Sequence, residues 1–112
     1  MSNLNWNYRA ANNQYLQQQT KTASPEKLIL MLYDIGLRSC HNKDREKAAK
    51  VLVELITALN FDYKEISLTF FDLYRFALDQ VHNGRFDNAI MVFEGLRAVW
   101  QKTVLGKSED KN

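Results

Sequence analysis

A chain of 112 residues with four glycines, one proline and 46% hydrophobic residues makes one ordered, helix-rich domain and excludes a turn-rich β-sandwich. Its 15 Lys and Arg against 13 Asp and Glu leave a net charge of +2 with no basic block; that argues against a surface built to neutralise several phosphates. The lone Cys40 excludes an internal disulfide, and the longest apolar run, broken by Asp34, is too short to span a bilayer.

Residues 1–23 are rich in Asn and Gln and lack the basic start and apolar run of a signal peptide. Their polarity predicts a flexible arm, with a short helix around 10–19 and sticky points at Trp6, Tyr8, Tyr15 and Leu16. The expectation is a soluble, intracellular protein without membrane insertion.

Ser24-Pro25-Glu26 is a helix start: a serine to cap, proline at the first position and an acid at the positive end of the dipole. Helix 1 then runs to about Cys40. At about 100° per residue, Leu28, Met31, Leu32 and Ile35 form its predicted core face, with Leu30 and Leu37 nearly opposite and Tyr33 between. His41-Asn42-Lys43-Asp44 reads as a polar loop, with Asn42 or Asp44 able to cap the next helix.

Helix 2 covers about 45–60, with Ala48, Val51, Leu52, Leu55 and Leu59 inward. Helix 3, about 63–82, is expected to start from an Asp62 cap and to bury Ile66, Phe70, Leu73, Ala77 and Val81. Phe71, Tyr74, Leu78 and Phe76 widen its apolar arc to about twice what one face needs. Asn83-Gly84 is a left-handed stop. Helix 4 runs from near Asp87 to near Leu105, with Ala89, Ile90, Phe93, Leu96, Trp100 and Val104 inward and Val92 and Val99 broadening the stripe. Four amphipathic helices on short loops predict an all-α, antiparallel up-down four-helix bundle over 24–106, followed by a disordered tail at 107–112.

Signatures of catalysis are weak. Neither His41 nor His82 is preceded by Glu at three residues' distance, the pattern of bundle di-metal sites. Cys40 and His41 are sequence neighbours whose side chains diverge on a helix, and the glycines are scattered. A non-enzymatic protein with no metal and no cofactor is expected, and no nucleic-acid partner.

What stands out is apolar surface in excess on helices 1 and 3. Wide stripes can simply fill a tight bundle. They can also present grooves for apolar helices of another chain, or for a second copy.

Thr22-Ala23-Ser24-Pro25-Glu26-Lys27-Leu28-Ile29-Leu30-Met31-Leu32-Tyr33-Asp34 closely resembles the opening of the FliS family, flagellar secretion chaperones that bind flagellin. Tyr15 stands where that family has a tyrosine ahead of the cap. Leu59-Asn60-Phe61-Asp62-Tyr63-Lys64-Glu65-Ile66 is similar to its link between helices 2 and 3, and Leu73-Tyr74 and Leu96-Arg97-Ala98-Val99-Trp100 resemble its later helices. The resemblance spans about 8–104. Two departures are a shorter stretch between Tyr33 and Leu59 and Asn12 in place of a second arm tyrosine.

The resemblance implies a cytoplasmic chaperone, not driven by ATP, that holds the disordered C-terminal segment of flagellin. It would prevent premature polymerisation and deliver flagellin to the export apparatus, with an export-gate component as a further partner. Combined with helical-wheel geometry, it marks Leu30, Tyr33, Leu37, Phe61, Phe71, Tyr74 and Leu78 as partner contacts and Tyr15 as the arm's plug. The alternative is a structural or regulatory bundle that self-associates without binding flagellin. The free protein is expected to be a monomer or weak homodimer.

Overall fold

The computed structural model describes residues 24–105, which form four helices and a closing π-turn. They are α1 (Pro25–His41), α2 (Arg45–Thr57), α3 (Lys64–His82) and α4 (Phe86–Trp100), the last running on into the π segment Gln101–Leu105. Each helix packs on its sequence neighbours and α1 closes against α4, giving the all-α four-helix arrangement.

Two hairpin turns at the same end of the bundle use one motif. Asn42 and Asn83 are the C-caps of α1 and α3. After α1, the Lys43 N–H donates to the Cys40 carbonyl at 3.0 Å and the Asp44 N–H to the Ser39 carbonyl at 2.8 Å. After α3, Gly84 and Arg85 repeat this with Val81 (3.0 Å) and Gln80 (2.8 Å). This pairing satisfies carbonyls that the helix leaves open, and it needs a left-handed residue just past the cap. Gly84, at φ 73°, adopts that conformation freely, whereas Lys43, at φ 56°, does so against its own Cβ. Asp44 then accepts from the Lys47 N–H at 3.2 Å and starts α2.

The turn between α2 and α3 differs from expectation. Asp62 caps nothing: Tyr63 is the N-cap of α3 and makes no side-chain cap bond. Asn60 organises the turn, its side-chain oxygen accepting from the Asp62 N–H at 3.0 Å and its carbonyl from the Ser67 hydroxyl at 2.5 Å. Helix α2 stops at Thr57, earlier than predicted, and His41 is the last residue of α1 rather than a loop residue.

The inward faces are also rotated. On α1 the buried residues are Tyr33, Gly36, Ser39 and Cys40; Leu28, Met31, Leu32 and Ile35 are half-buried beside them. Helix α1 is flanked by α2 and α4, so both of its flanks are partly covered. Gly36 sets this orientation, because a Cβ there would overlap the Phe93 ring, with Cε1 at 2.5 Å and Cε2 at 2.9 Å. On α3, Ser67 and Tyr74 are inside with Ala77 and Val81, while Ile66 (62% exposed) and Leu73 (38%) turn outward. Helix α2 buries Ala48, Val51, Leu52 and Leu55 as read.

Two substitutions separate these constraints. Gly36→Ala should lower stability by about 1–3 kcal/mol, because the added Cβ would overlap the buried Phe93 ring. Lys43→Gly should raise it by about 1 kcal/mol through relief of left-handed strain. Chemical denaturation of both variants reads the opposite signs directly.

Candidate functional site

The interior is built on Tyr33. Its ring meets Tyr74 and Phe93 at centroid distances of 6.4 Å and Trp100 edge-on at 6.2 Å. Phe70 stacks on Tyr74 at 5.9 Å and meets Trp100 at 6.1 Å, closing a ring of aromatics from α1, α3 and α4. Trp100 Nε1 donates to the Glu26 carbonyl at 2.8 Å and ties the end of α4 to the start of α1.

The Tyr33 and Tyr74 hydroxyls share a hydrogen bond of 2.8 Å between diagonal helices. Burial pushes both phenols above their ordinary value, as it pushes the Cys40 thiol up to about 11. At 0% and 3% exposure, Tyr33 and Tyr74 are interior residues. Their assignment as partner contacts is therefore corrected: each phenol is apolar on its body and finds its single polar partner in the other.

The other sequence-derived contacts divide between two edges. Leu30 and Leu37 lie one turn either side of Asp34, on one stripe of α1. That stripe turns toward α4, since Asp34 Oδ1 pairs with Arg97 Nε at 2.5 Å. Arg97 also donates to Gln101 Oε1 at 3.2 Å. With side chains about two-fifths exposed, this pair marks an edge rather than anchoring the fold.

Phe71 and Leu78, seven residues apart on α3, lie on the opposite flank from Gln80. Gln80 Oε1 accepts from Asn88 Nδ2 of α4 at 2.8 Å, so Phe71 and Leu78 face the α2 side. Leu30, Leu37, Phe71 and Leu78 are all half-buried, and Leu37 and Leu78 lean on the core. Phe61, in the α2–α3 turn, is 50% exposed. The structure thus brings these five to two edges and a turn, not to one patch. Tyr15 lies outside the described residues.

Sequence reasoning missed a third apolar surface. Met91 (71% exposed) and Val99 (57%) flank Gly95 on the outside of α4, and Phe76 (49%) stands across from them on α3. The signal was present in the four-residue spacing of Met91, Gly95 and Val99. Among the described residues no group of three or more His, Cys, Asp or Glu could hold a metal, and no helix is long and apolar enough to cross a membrane.

The described residues thus form a helical bundle whose apolar flanks stay partly open. The match to known proteins gives it a family: the model for flagellar protein FliS covers residues 7–106, and the chain belongs to that family of flagellar chaperones. No curated protein and no solved structure gave a significant match.

The buried tyrosine pair has consequences for stability. Tyr33→Phe or Tyr74→Phe should each cost about 1–3 kcal/mol by orphaning the other hydroxyl, and the double variant less than their sum. Unfolded tyrosines ionise near 10.0, where the folded pair stays protonated. The pair's stabilisation is therefore complete below that pH and is lost as pH rises above it. Alkaline titration should show these two phenols ionising only with loss of helicity; simultaneous ionisation of all tyrosines in folded protein would contradict the pairing.

Proposed function

We propose that this chain is a cytoplasmic export chaperone that holds the disordered C-terminal segment of flagellin. The segment runs along the α1–α4 edge at Leu30 and Leu37, past Phe61, and along the α2–α3 edge at Phe71 and Leu78. The observation that carries this reading is that these side chains all remain partly open, Leu37 and Leu78 at the margin of the core and Leu30, Phe61 and Phe71 outside it. The aromatic core is closed, and no buried side-chain polar atom among the described residues lacks a partner.

The mechanism follows from the thermodynamics of coupled folding and binding. A disordered apolar segment loses conformational entropy when it orders as helices, and burial of its apolar side chains must offset that loss. Two edges on a stable bundle supply more apolar area than a single groove would. A segment wrapped over both is sequestered from other flagellin copies, which blocks polymerisation without any chemical step. Tyr15 of the N-terminal arm covers one of these edges when flagellin is absent. The loaded complex docks on a component of the export gate.

Isothermal titration calorimetry with a flagellin C-terminal peptide tests the assignment. Wild-type protein should bind with a Kd of about 1 µM or tighter and a negative heat-capacity change from apolar burial. The Leu30→Glu, Phe71→Glu double variant, charged at both edges, should lose at least about tenfold in affinity. No heat at about 50 µM, or full affinity in the double variant, would refute it.

A further inference from the structure

At the end of the bundle that carries the α1–α2 and α3–α4 turns lies a crevice of about 390 Å³. Cations from both turns meet there. Lys43 and Arg85 line it, and Arg45 Nη2 reaches over from the start of α2, 3.1 Å from where a Cβ on Gly84 would stand. All three residues are exposed, and none of their side chains makes an ion pair or hydrogen bond among the described residues. Of the nearby carboxylates, Asp44 is engaged as the cap of α2, accepting from the Lys47 N–H, and Asp87 is the one that lines the crevice. Lys43 is the most informative member. The same turn is built twice at this end, with Gly84 as the left-handed residue in one copy and Lys43 in the other. Lysine strains a backbone position that glycine would take freely, and strain of this kind clusters at binding positions.

We propose that this crevice binds an acidic peptide segment of another protein, with Lys43, Arg45 and Arg85 taking its carboxylates. Cations gathered this closely repel one another, and a carboxylate set among them relieves that repulsion. The two guanidinium forks suit carboxylate oxygens, and half-buried Phe86 gives the segment an apolar wall. Asp87 and Asn88 decide between kinds of anion. Asn88 Nδ2 is occupied by Gln80 Oε1 at 2.8 Å, so its Oδ1, like the Asp87 carboxylate, offers only an acceptor. A peptide brings backbone N–H donors to those acceptors, whereas a phosphate dianion meets them with more negative charge. A nucleic-acid backbone needs a longer run of cations than one crevice supplies. The crevice is at the opposite end of the bundle from the Phe61 turn, and its binding of acids does not rest on the flagellin edges.

NMR amide titration of the full chain with capped hexaglutamate tests it. At low ionic strength the Lys43, Gly84, Arg85 and Asn88 signals should shift with a Kd of about 0.1–1 mM, and about 0.5 M salt should weaken binding roughly tenfold. Capped hexaglutamine should shift none of them, and inorganic phosphate should bind at least about tenfold more weakly than the acidic peptide. Arg45→Gln and Arg85→Gln should each weaken peptide binding about threefold or more and leave the affinity for a flagellin segment unchanged. Lys43→Gly should weaken peptide binding while raising stability, a combination that a purely structural residue does not give. No shift at about 10 mM peptide, or shifts that persist in the Lys43→Gly, Arg85→Gln double variant, would overturn the proposal. So would shifts spread evenly over basic residues elsewhere, or phosphate binding as tight as the peptide's.

Discussion

Two phenol hydroxyls, 2.8 Å apart in the middle of the bundle, fix the relation of the helices to one another. Tyr33 on α1 and Tyr74 on α3 belong to diagonal helices, which otherwise touch little. A buried hydroxyl without a partner is costly, so each residue holds the other's helix at a set rotation. The rings then do what apolar groups do, meeting Phe93, Trp100 and Phe70 in tilted and edge-on contacts worth about 0.5–1.5 kcal/mol each beyond their buried area. Once Tyr33 points inward, Gly36 comes one turn later on the same face, and the Phe93 ring lies on its bare backbone.

The rotation fixed at the centre decides what reaches the surface. Placing Tyr33 and Gly36 inside turns Leu30 and Leu37 to one flank of α1 and Leu28, Met31 and Ile35 to the other. Placing Ser67 and Tyr74 inside does the same on α3, sending Phe71 and Leu78 to one side and Ile66 and Leu73 outward. The surplus of apolar surface is therefore a result of polar-capable residues taking the core. The bundle hides Tyr33 and Tyr74 and leaves Leu30, Leu37 and Leu78 partly open.

Helix number, order, two of the four starts and one stop were legible because they rest on local chemistry: Ser24 with Pro25, Asp44, and the Gly84 stop. The face of α2 was legible because only one side of it is apolar. The faces of α1 and α3 were not, since on both helices the apolar arc is wider than one face and admits more than one inward direction. What breaks the tie is a pair of hydroxyls 41 residues apart and a glycine–phenylalanine contact between helices, neither visible in a single helix's spacing. The Asp62 cap failed for a related reason: Asn60, two residues earlier, takes the turn's hydrogen bonds first. Five of the seven contact residues derived from sequence keep some exposure, while the two tyrosines were drawn inside by the one polar group each carries.

The most direct test is side-chain NMR of the protein with and without the flagellin C-terminal segment. Leu30 and Leu37 methyl signals and Phe61 and Phe71 ring signals should shift on binding, while Tyr33, Tyr74 and Phe93 keep their positions. Unmoved leucines, or a rearranged tyrosine pair, would contradict a bundle whose core is finished and whose flanks are kept for another chain.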